Sequence, residues 1–264
     1  MEKIIVCIKG VPKPGTVKVD PETHTLKRES AELILNPNDR SPLEIAMRLK
    51  NRYSCEVVVI TMGPPNAIPL LKEAYSLGAD RVILLSDRLF AGSDTLATSR
   101  VLAKAITKLA PFSLVLMGLR SIDGETAQVP PETAALLGLP SVINIKEMTL
   151  TDNGKALITR ETDYGEEELE VELPLVGSIT PHLDYYRPPS YKRLLEVKNI
   201  DPEIWNAEDL NLPEEVVGLK GSPTRVGSVF EKKLVQRGEI WEGSPEELAK
   251  RLLEFLREKE LLKS

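Results

Sequence analysis

Residues 114–140, LVLMGLRSIDGETAQVPPETAALLGLP, set how the rest of the chain is read. The run opens on Leu114, Val115, Leu116 and Met117, a length and branching that suit a buried strand better than a helix. Gly118 ends it. A polar loop follows at residues 120–125, and then Ala134, Ala135, Leu136 and Leu137 read as the buried side of a helix closed by Gly138 and Pro140. Strand, loop and helix N-terminus in that order leave free backbone N–H groups and the positive end of a helix dipole facing whatever lies above the sheet, which suits a phosphate. Gly124 lets the backbone come close, and Thr126 and Gln128 offer side-chain donors beside those N–H groups. An ordinary helix capped by Thr126 or Asp123 would have the same layout. The flanking sequence has to separate the two.

Upstream, KIIVCI at residues 3–8 reads as a first buried strand, and KGVPKPG after it as a loop, because Pro12, Pro14 and Gly15 interrupt a ladder. Residues 16–28 suggest a small hairpin turning at Asp20-Pro21. Ser41-Pro42-Leu43-Glu44 has the layout of a capping box, and Ile45, Leu49 and Tyr53 continue one apolar helix face. Residues 56–62 and 81–85 read as two more strands, separated by a helix that starts near Ala67 and turns Leu70, Leu71, Ala74 and Leu77 inward. A helix running to Leu109 follows the loop at residues 86–99, with Thr98, Leu102 and Ala105 on its inner face. Strands alternating with helices at this spacing imply βαβ units and a doubly wound parallel sheet.

Downstream of Ser141 the pattern changes. Short alternating pieces, with Asp152-Asn153-Gly154 as a hairpin turn, predict a core strand extended into an antiparallel ribbon, after which residues 175–179 return to the sheet. The chain then lacks periodic apolar structure for about 60 residues, apart from a short helix expected near 201–210. The aromatic residues Tyr185, Tyr186, Tyr191, Trp205 and Phe230 make this an arm that packs on a partner. Ser244-Pro245-Glu246-Glu247 repeats the capping-box layout ahead of an amphipathic helix carrying Leu248, Leu252, Phe255 and Leu256. The expected division is a nucleotide-binding α/β domain at 1–180, with a partner-binding loop, C-terminal arm and helix at 181–264.

Composition narrows the function. A chain of 264 residues with net charge −6 and no basic block is not a nucleic-acid binder, and no apolar run is long enough for membrane insertion. With no signal-peptide layout at the N-terminus, a cytoplasmic protein is expected. Cys7 and Cys55 are too far apart for a metal or redox motif and read as small core residues, and His24 and His182 lack a second ligand at metal spacing. Gly-x-Ser-x-Gly, P-loop and Gly-x-Gly-x-x-Gly patterns are all missing from the sequence.

The wording of the corner carries more. D-G-E-T-A-Q at Asp123, Gly124, Glu125, Thr126, Ala127 and Gln128, followed by PETAALLGLP, closely resembles the signature of the beta subunit of electron transfer flavoproteins, the EtfB/FixA family. The likeness extends from IKGVP near the N-terminus to GLKGSPTRV at residues 218–226. It implies an α/β fold of the adenine-nucleotide-hydrolase-like type and an ETF alpha subunit that carries the redox flavin, the two forming a heterodimer. It also implies a beta-subunit site for FAD or, alternatively, AMP. Carried onto this chain, that site falls at Cys7, Ile8, Lys9, Asn36, Asp39, Met62, Gly63 and Gly118 and at the corner from Asp123 to Gln128.

The stretch DRLFAGSDTLATS at residues 87–99 is similar to the form found in bifurcating members, where Asp94, Thr95 and Thr98 would offer hydrogen bonds to a flavin ring. The resemblance therefore implies FAD, with NADH as hydride donor and quinone-side and ferredoxin-like acceptors. Glu125 in place of the more usual Asp, and Pro130 in place of Gly, depart from the pattern. DYYRPPSYK at residues 184–192 resembles the family's loop for redox partner proteins, with Arg187 and Tyr191 as partner-binding residues and Tyr191 standing where leucine is usual. Two other classes compete. An adenylating enzyme would need a Gly-rich phosphate loop where Lys9-Gly10-Val11-Pro12 stands, and a stress-type adenine-nucleotide-binding regulator is usually a shorter chain without the arm.

Overall fold

The computed structural model describes residues 2–14, 32–151, 153–181, 186–225, 227 and 238–262. The expected hairpin at 16–28, both histidines, Asp152, Asp184, Tyr185 and Phe230 lie outside the described residues.

Five short apolar runs form the centre of a parallel sheet: β1 (Lys3–Ile8), β4 (Glu56–Met62), β5 (Arg81–Leu85), β6 (Leu114–Gly118) and β10 (Leu175–Ile179). Strands β2 (Gly10–Pro12) and β3 (Leu33–Leu35) form a separate antiparallel pair. Ile4, Ile5 and Val6 of β1 and Val57 to Ile60 of β4 are sealed from solvent on both faces, as a parallel sheet covered by helices requires. Four helices supply the cover: α1 (Arg40–Tyr53), α2 (Ile68–Leu77), α3 (Thr95–Lys108) and α4 (Val129–Leu137). Leu43, Met47 and Leu49 of α1 and Leu71 and Ala74 of α2 pack with Ile4, Val6 and Val59 on one face. Val101, Leu102 and Ile106 of α3 and Ala134 of α4 pack with Ile5, Cys7 and Ile60 on the other.

The rest of the sheet is β7 (Ser141–Leu150), β8 (Lys155–Thr162), β9 (Gly165–Glu172) and β11 (Glu203–Trp205), in the order β11-β5-β4-β1-β6-β10-β7-β8-β9. Strands β8 and β9 form the expected antiparallel ribbon on β7. Cross-strand pairs Lys146–Glu166, Lys155–Glu170 and Arg160–Glu167 line it. The chain goes outward from β1 through β4 to β5, then returns to place β6 on the other side of β1. The order of strand addition thus reverses between β1 and β6, which run parallel, and in open α/β sheets it is above the carboxyl ends at such a point that ligands bind.

Five local expectations are corrected. Residues 10–12 are a strand and not part of a loop: Val11 is buried, and Pro12 lies at the end of a two-strand ladder that does not need its missing N–H. Ser41 is inside α1, which begins at Arg40 after Asp39, and no capping box forms. Its hydroxyl meets Tyr186 Oη at 3.1 Å, while Glu44 is taken by Arg187. In α4 only Pro130, Thr133 and Ala134 are buried and Leu136 is 46% exposed, because four consecutive residues cannot share one helix face. That helix takes neither Thr126 nor Asp123 as its cap; Gln128 holds the position without a side-chain cap bond.

The helix expected near 201–210 is also absent. Instead β11 adds to β5 in parallel, and the short helices α5 (Tyr191–Glu196) and α6 (Gly218–Gly221) lie on either side of it in sequence. Much of the stretch expected to be structureless belongs to the first of two compact units, Met1–Ser228 and Val229–Ser264. Within the second unit, α7 (Pro245–Glu258) starts with the predicted capping box of Ser244 and Glu247, and Trp241 packs edge-on against Phe255.

Candidate functional site

The carboxyl ends of β1 and β6 meet around one buried carboxylate. Asp39, at the end of a single 3-10 turn (Pro37–Asp39), accepts the Lys9 N–H at 2.6 Å on Oδ2 and the Asn36 Nδ2 at 2.9 Å on Oδ1, and it is also reached by the Gly118 N–H. It therefore ties the end of β1 to the end of β6. Burial pushes its pKa up to about 7, against the pull of these hydrogen bonds and the Lys9 charge. Nearby Cys7 is buried, and burial followed by the Asp39 charge drives its thiol far above the ordinary value. It is a core residue and not a nucleophile.

The corner after β6 is held by side chains from the loop before α1. Asn36 donates to the Arg120 carbonyl at 3.0 Å and accepts the Ile122 N–H at 3.3 Å, and Asn38 donates to the same carbonyl at 2.6 Å. Lys9 Nζ donates to Asp123 Oδ1 at 2.6 Å and to Ser121 Oγ at 3.2 Å. Burial would raise the Asp123 pKa, but the Lys9 and Ser121 bonds hold it below the ordinary carboxylate range. Residues 122–126 are exposed, and the backbone turns through positive φ at Glu125 (52°) and Ala127 (55°) on its way to α4. Pro130 and Pro131 lie in the first turn of that helix, where their missing N–H groups leave nothing unpaired.

A second helix N-terminus meets this corner. Asp94 caps α3 by accepting the Ala97 N–H at 3.0 Å. Thr95 Oγ1 lies 3.1 Å from Glu132 Oε1 and 3.3 Å from Gln128 Oε1, and Ser99 donates to Glu132 Oε2 at 3.1 Å. The first turns of α3 and α4 are thereby joined.

The structure brings Lys9, Asn36, Asp39, Gly118 and Asp123 into one hydrogen-bonded group, and joins Thr95 to Gln128 beside it. Ile8 is buried in the core, Gly124, Glu125, Thr126 and Ala127 form the turn itself, and Thr98 sits half-buried in the first turn of α3. Gly63 is tied to the Leu85 carbonyl at 3.0 Å, at the neighbouring strand end, next to Met62. The Asp94 carboxylate is already engaged: besides capping α3 it accepts from Thr224. Ser121, Ser99 and Glu132 were missed in the sequence, whereas Asn38 falls inside the stretch 36–39 onto which the family resemblance carries the pocket, a turn rich in side-chain acceptors and donors.

Of the two residues expected at the partner-binding loop, Tyr191 is 77% exposed at the start of α5, with Leu194 and Leu195 exposed beside it. Arg187 instead folds back onto α1, where Nε donates to Glu44 Oε2 at 2.8 Å and one terminal nitrogen to Oε1 at 3.2 Å. Glu44 is 5% exposed and also accepts from Arg48 at 2.9 Å. Its pKa is lowered: burial pushes upward, and the Arg187 and Arg48 hydrogen bonds outweigh it.

A doubly wound α/β protein with an open backbone corner and two helix N-termini at its switch point has the layout that takes up phosphate-bearing ligands. Comparison with known proteins makes this specific. The family model described as electron transfer flavoprotein domain matches residues 23–203. The chain is 40% identical over 262 residues to the caffeyl-CoA reductase-Etf complex subunit CarD of Acetobacterium woodii, covering 98% of this chain and 100% of that one. It is 38% identical over 255 residues to the electron transfer flavoprotein subunit beta of Clostridium acetobutylicum, covering 97% and 98%. Protein FixA of Azorhizobium caulinodans is 38% identical over 235 residues, covering 86% and 83%. The chain belongs to the electron transfer flavoprotein family, as a beta subunit, and its role is electron transfer in company with an alpha subunit. Among the described residues no helix is long and apolar enough to cross a membrane, and no group of side chains is arranged to hold a metal.

Proposed function

We propose that this chain holds FAD over the corner at residues 123–128 and serves in electron bifurcation, with NADH as donor and quinone-side and ferredoxin-like acceptors. The observation that carries the reading is the space at Gly124: a Cβ there would meet only Ser121 Oγ, at 3.3 Å. A second phosphate can therefore approach a backbone that presents N–H groups. The residues present fit such a group. Lys9 brings a cation to the corner, the first turns of α3 and α4 bring two positive helix ends, and the Thr61 and Ser178 hydroxyls, near the carboxyl ends of β4 and β10, are buried without a hydrogen-bond partner.

When bound, FAD supplies two-electron uptake from a hydride donor and release of single electrons. The chain's own work is to position it. Asp39 fixes the ends of β1 and β6, Asn36 and Asn38 fix the corner, and the Thr95–Gln128 hydrogen bond joins the N-termini of α3 and α4 beside it. One relative is named as part of a caffeyl-CoA reductase-Etf complex, which supports a CoA-thioester reductase as a redox partner of this chain. Tyr191, Leu194 and Leu195 are the exposed apolar group suited to meet it. The unit Val229–Ser264, whose helix α7 leaves Leu252, Leu253 and Phe255 exposed, is suited to grip the alpha subunit.

A second reading, a structural AMP in the same site, is favoured by one observation. Asp94 has both carboxylate oxygens engaged, so it is not free to meet a flavin ring. Releasing the nucleotides from the purified heterodimer by denaturation and separating them chromatographically tests both readings. Two FAD per heterodimer is the expected result, and one FAD with one AMP, unchanged after reconstitution with excess FAD, overturns it.

A further inference from the structure

Helix α5 has its polarity reversed. None of its residues is buried, and Tyr191, Leu194 and Leu195 stand exposed while the charged Arg193 and Glu196 turn toward α2. The spacing makes this a clean division. Residues 193 and 196 lie one turn apart on one side of the helix, and 191, 194 and 195 share the opposite side. Six residues are too few to hold a helix in water by themselves, and this one has no buried apolar side to hold it. Its polar side does so instead.

Arg193 makes most of that contact. One terminal nitrogen donates to the Tyr75 carbonyl at 3.0 Å and to the Ala79 carbonyl, the other lies 3.6 Å from Asp80 Oδ1, and the guanidinium carbon is 4.8 Å from the centre of the Tyr75 ring. The cation therefore sits at the negative end of the α2 dipole, on carbonyls at and just past the end of that helix. The Tyr75 hydroxyl adds a long bond to Glu196 Oε2 at 3.5 Å, and the Ser190 N–H, just ahead of α5, donates to the Ser76 carbonyl at 3.1 Å. All of these groups belong to the unit Met1–Ser228. Turning the two leucines inward would stabilise the free chain. Presenting them outward on a clipped helix serves a second protein surface.

We infer that Arg193 is a positioning residue for partner docking: by clipping α5 to the end of α2 it holds Tyr191, Leu194 and Leu195 as a formed apolar face for a redox partner, a CoA-thioester reductase. The inference rests on the docking reading of those three residues proposed above. A face that is already formed spares the complex the cost of ordering the segment at encounter. Arg193 thus governs how tightly the reductase binds, and not how fast an electron crosses once it is bound.

The test reduces the purified heterodimer with dithionite, removes the excess, and follows flavin reoxidation by a CoA-thioester reductase of the same organism and, separately, by ferricyanide, a small acceptor that needs no docking face. Amide hydrogen exchange at Leu194, whose N–H donates to the Ser190 carbonyl at 2.9 Å, reports whether α5 is formed. Arg193→Met removes the donors and keeps an unbranched stem against Tyr75, while Lys50 still donates to the Gly78 carbonyl at 2.9 Å and keeps a cation at the end of α2. This variant is expected to raise the half-saturating reductase concentration about tenfold and to speed Leu194 exchange by a similar factor, with the limiting rate and the ferricyanide rate unchanged. Arg193→Lys keeps a cation for the two carbonyls and is expected to bring both readouts back to within about threefold of the wild type. Faster exchange with unchanged saturation overturns the positioning role. So does weaker saturation with unchanged exchange, which makes Arg193 a direct contact of the partner. An effect in Tyr191→Ala without one in Arg193→Met removes the positioning role and leaves the docking reading standing. If the reductase does not saturate the wild type, or Tyr191→Ala leaves saturation unchanged, the docking reading itself falls and takes the positioning role with it.

Discussion

Gly118 and Asp39 leave no room for a side-chain atom between them: a Cβ on Gly118 would lie 2.2 Å from Asp39 Oδ1 and 2.9 Å from the Asn38 carbonyl. The end of β6 can approach the carboxylate that organises the crevice because this residue lacks a side chain. Gly118→Ala should cost about 3 kcal/mol, the upper part of the range for overpacking, since Asp39 is held by several groups and cannot step aside. A urea titration would read this as a lower midpoint with an unchanged slope. Nucleotide content should fall with it, because the same displacement moves the Lys9 N–H and the corner.

Asp39 also gives the fold a pH dependence of unusual sign. Its carboxyl has a pKa of 3.8 in an unfolded chain and about 7 when buried. The neutral acid is thus favoured by folding, and this stabilisation is complete below 3.8, declines as pH rises to 7 and is gone above it. Its full span is on the order of 4 kcal/mol. Asp39→Asn stays neutral at every pH, so the wild type minus variant difference in unfolding free energy should be largest near pH 4 and fall toward pH 7. A difference that grows with pH would mean that Asp39 is ionised and well paired in the folded chain.

The central strands and helices were legible because each is a short apolar run or a 3.6-residue stripe bounded by Gly, Pro or a cap. The order of the sheet beyond β6 was not. Strand β10 enters between β6 and β7, a choice made by packing of Val176 and Leu175 on opposite faces and by nothing local. Strand β11 has three residues, too few to show a period, and is fixed by its pairing to β5 and by Lys108 over the Trp205 ring at 4.4 Å. At the site, the corner could be found from its glycine and its polar side chains. Asp39 could be named, but its work as a tie between two strand ends depends on Gly118, 79 residues away in sequence. Glu44 looked like half of a capping box, and its real partner, Arg187, is 143 residues distant. Long-range pairs of this kind leave no spacing to read.

Arg187 and Tyr191 should separate into a structural and a docking residue. Removing the guanidinium leaves Glu44 buried with only Arg48, so Arg187→Ala should cost about 3 kcal/mol. Because the Glu44 pKa is lowered, that contribution is present above its unfolded value of 4.5 and is lost as pH falls through the folded value. The gap between wild type and variant should therefore close on acidification. Tyr191→Ala, at an exposed position, should change stability by less than about 0.5 kcal/mol while slowing electron transfer to a partner reductase about tenfold. Loss of bound nucleotide in Tyr191→Ala would place α5 in the pocket instead.

The unit Val229–Ser264 should be dispensable for folding and needed for assembly. Removing it leaves the sheet and its helices, all within Met1–Ser228, with their packing intact. The shortened chain should still unfold in one cooperative transition, and its affinity for the alpha subunit should drop by at least about a hundredfold if exposed apolar residues such as Leu252 and Phe255 are central anchors. Equal affinity by titration calorimetry would show that the interface lies elsewhere.

Gly124→Asp should convert the corner from one nucleotide to another. A Cβ fits at this position, with Ser121 Oγ at 3.3 Å as its nearest neighbour, so the substitution introduces a carboxylate without crowding the fold. The new charge lies in the same turn as Asp123, whose own charge is offset by Lys9. A second carboxylate has no such partner, and it repels a second phosphate far more than it disturbs a single phosphate seated on the α4 N-terminus. The variant heterodimer should carry one FAD in place of two, and AMP should replace the lost flavin when supplied. Electron transfer from NADH should disappear, and the thermal midpoint should stay within about 3 °C of the wild type, as expected for a surface change below 1 kcal/mol. Gly124→Ser adds similar bulk without charge and should keep both flavins. If serine expels the flavin as aspartate does, bulk and not charge governs the site; if aspartate leaves both flavins bound, the pyrophosphate is not at this turn.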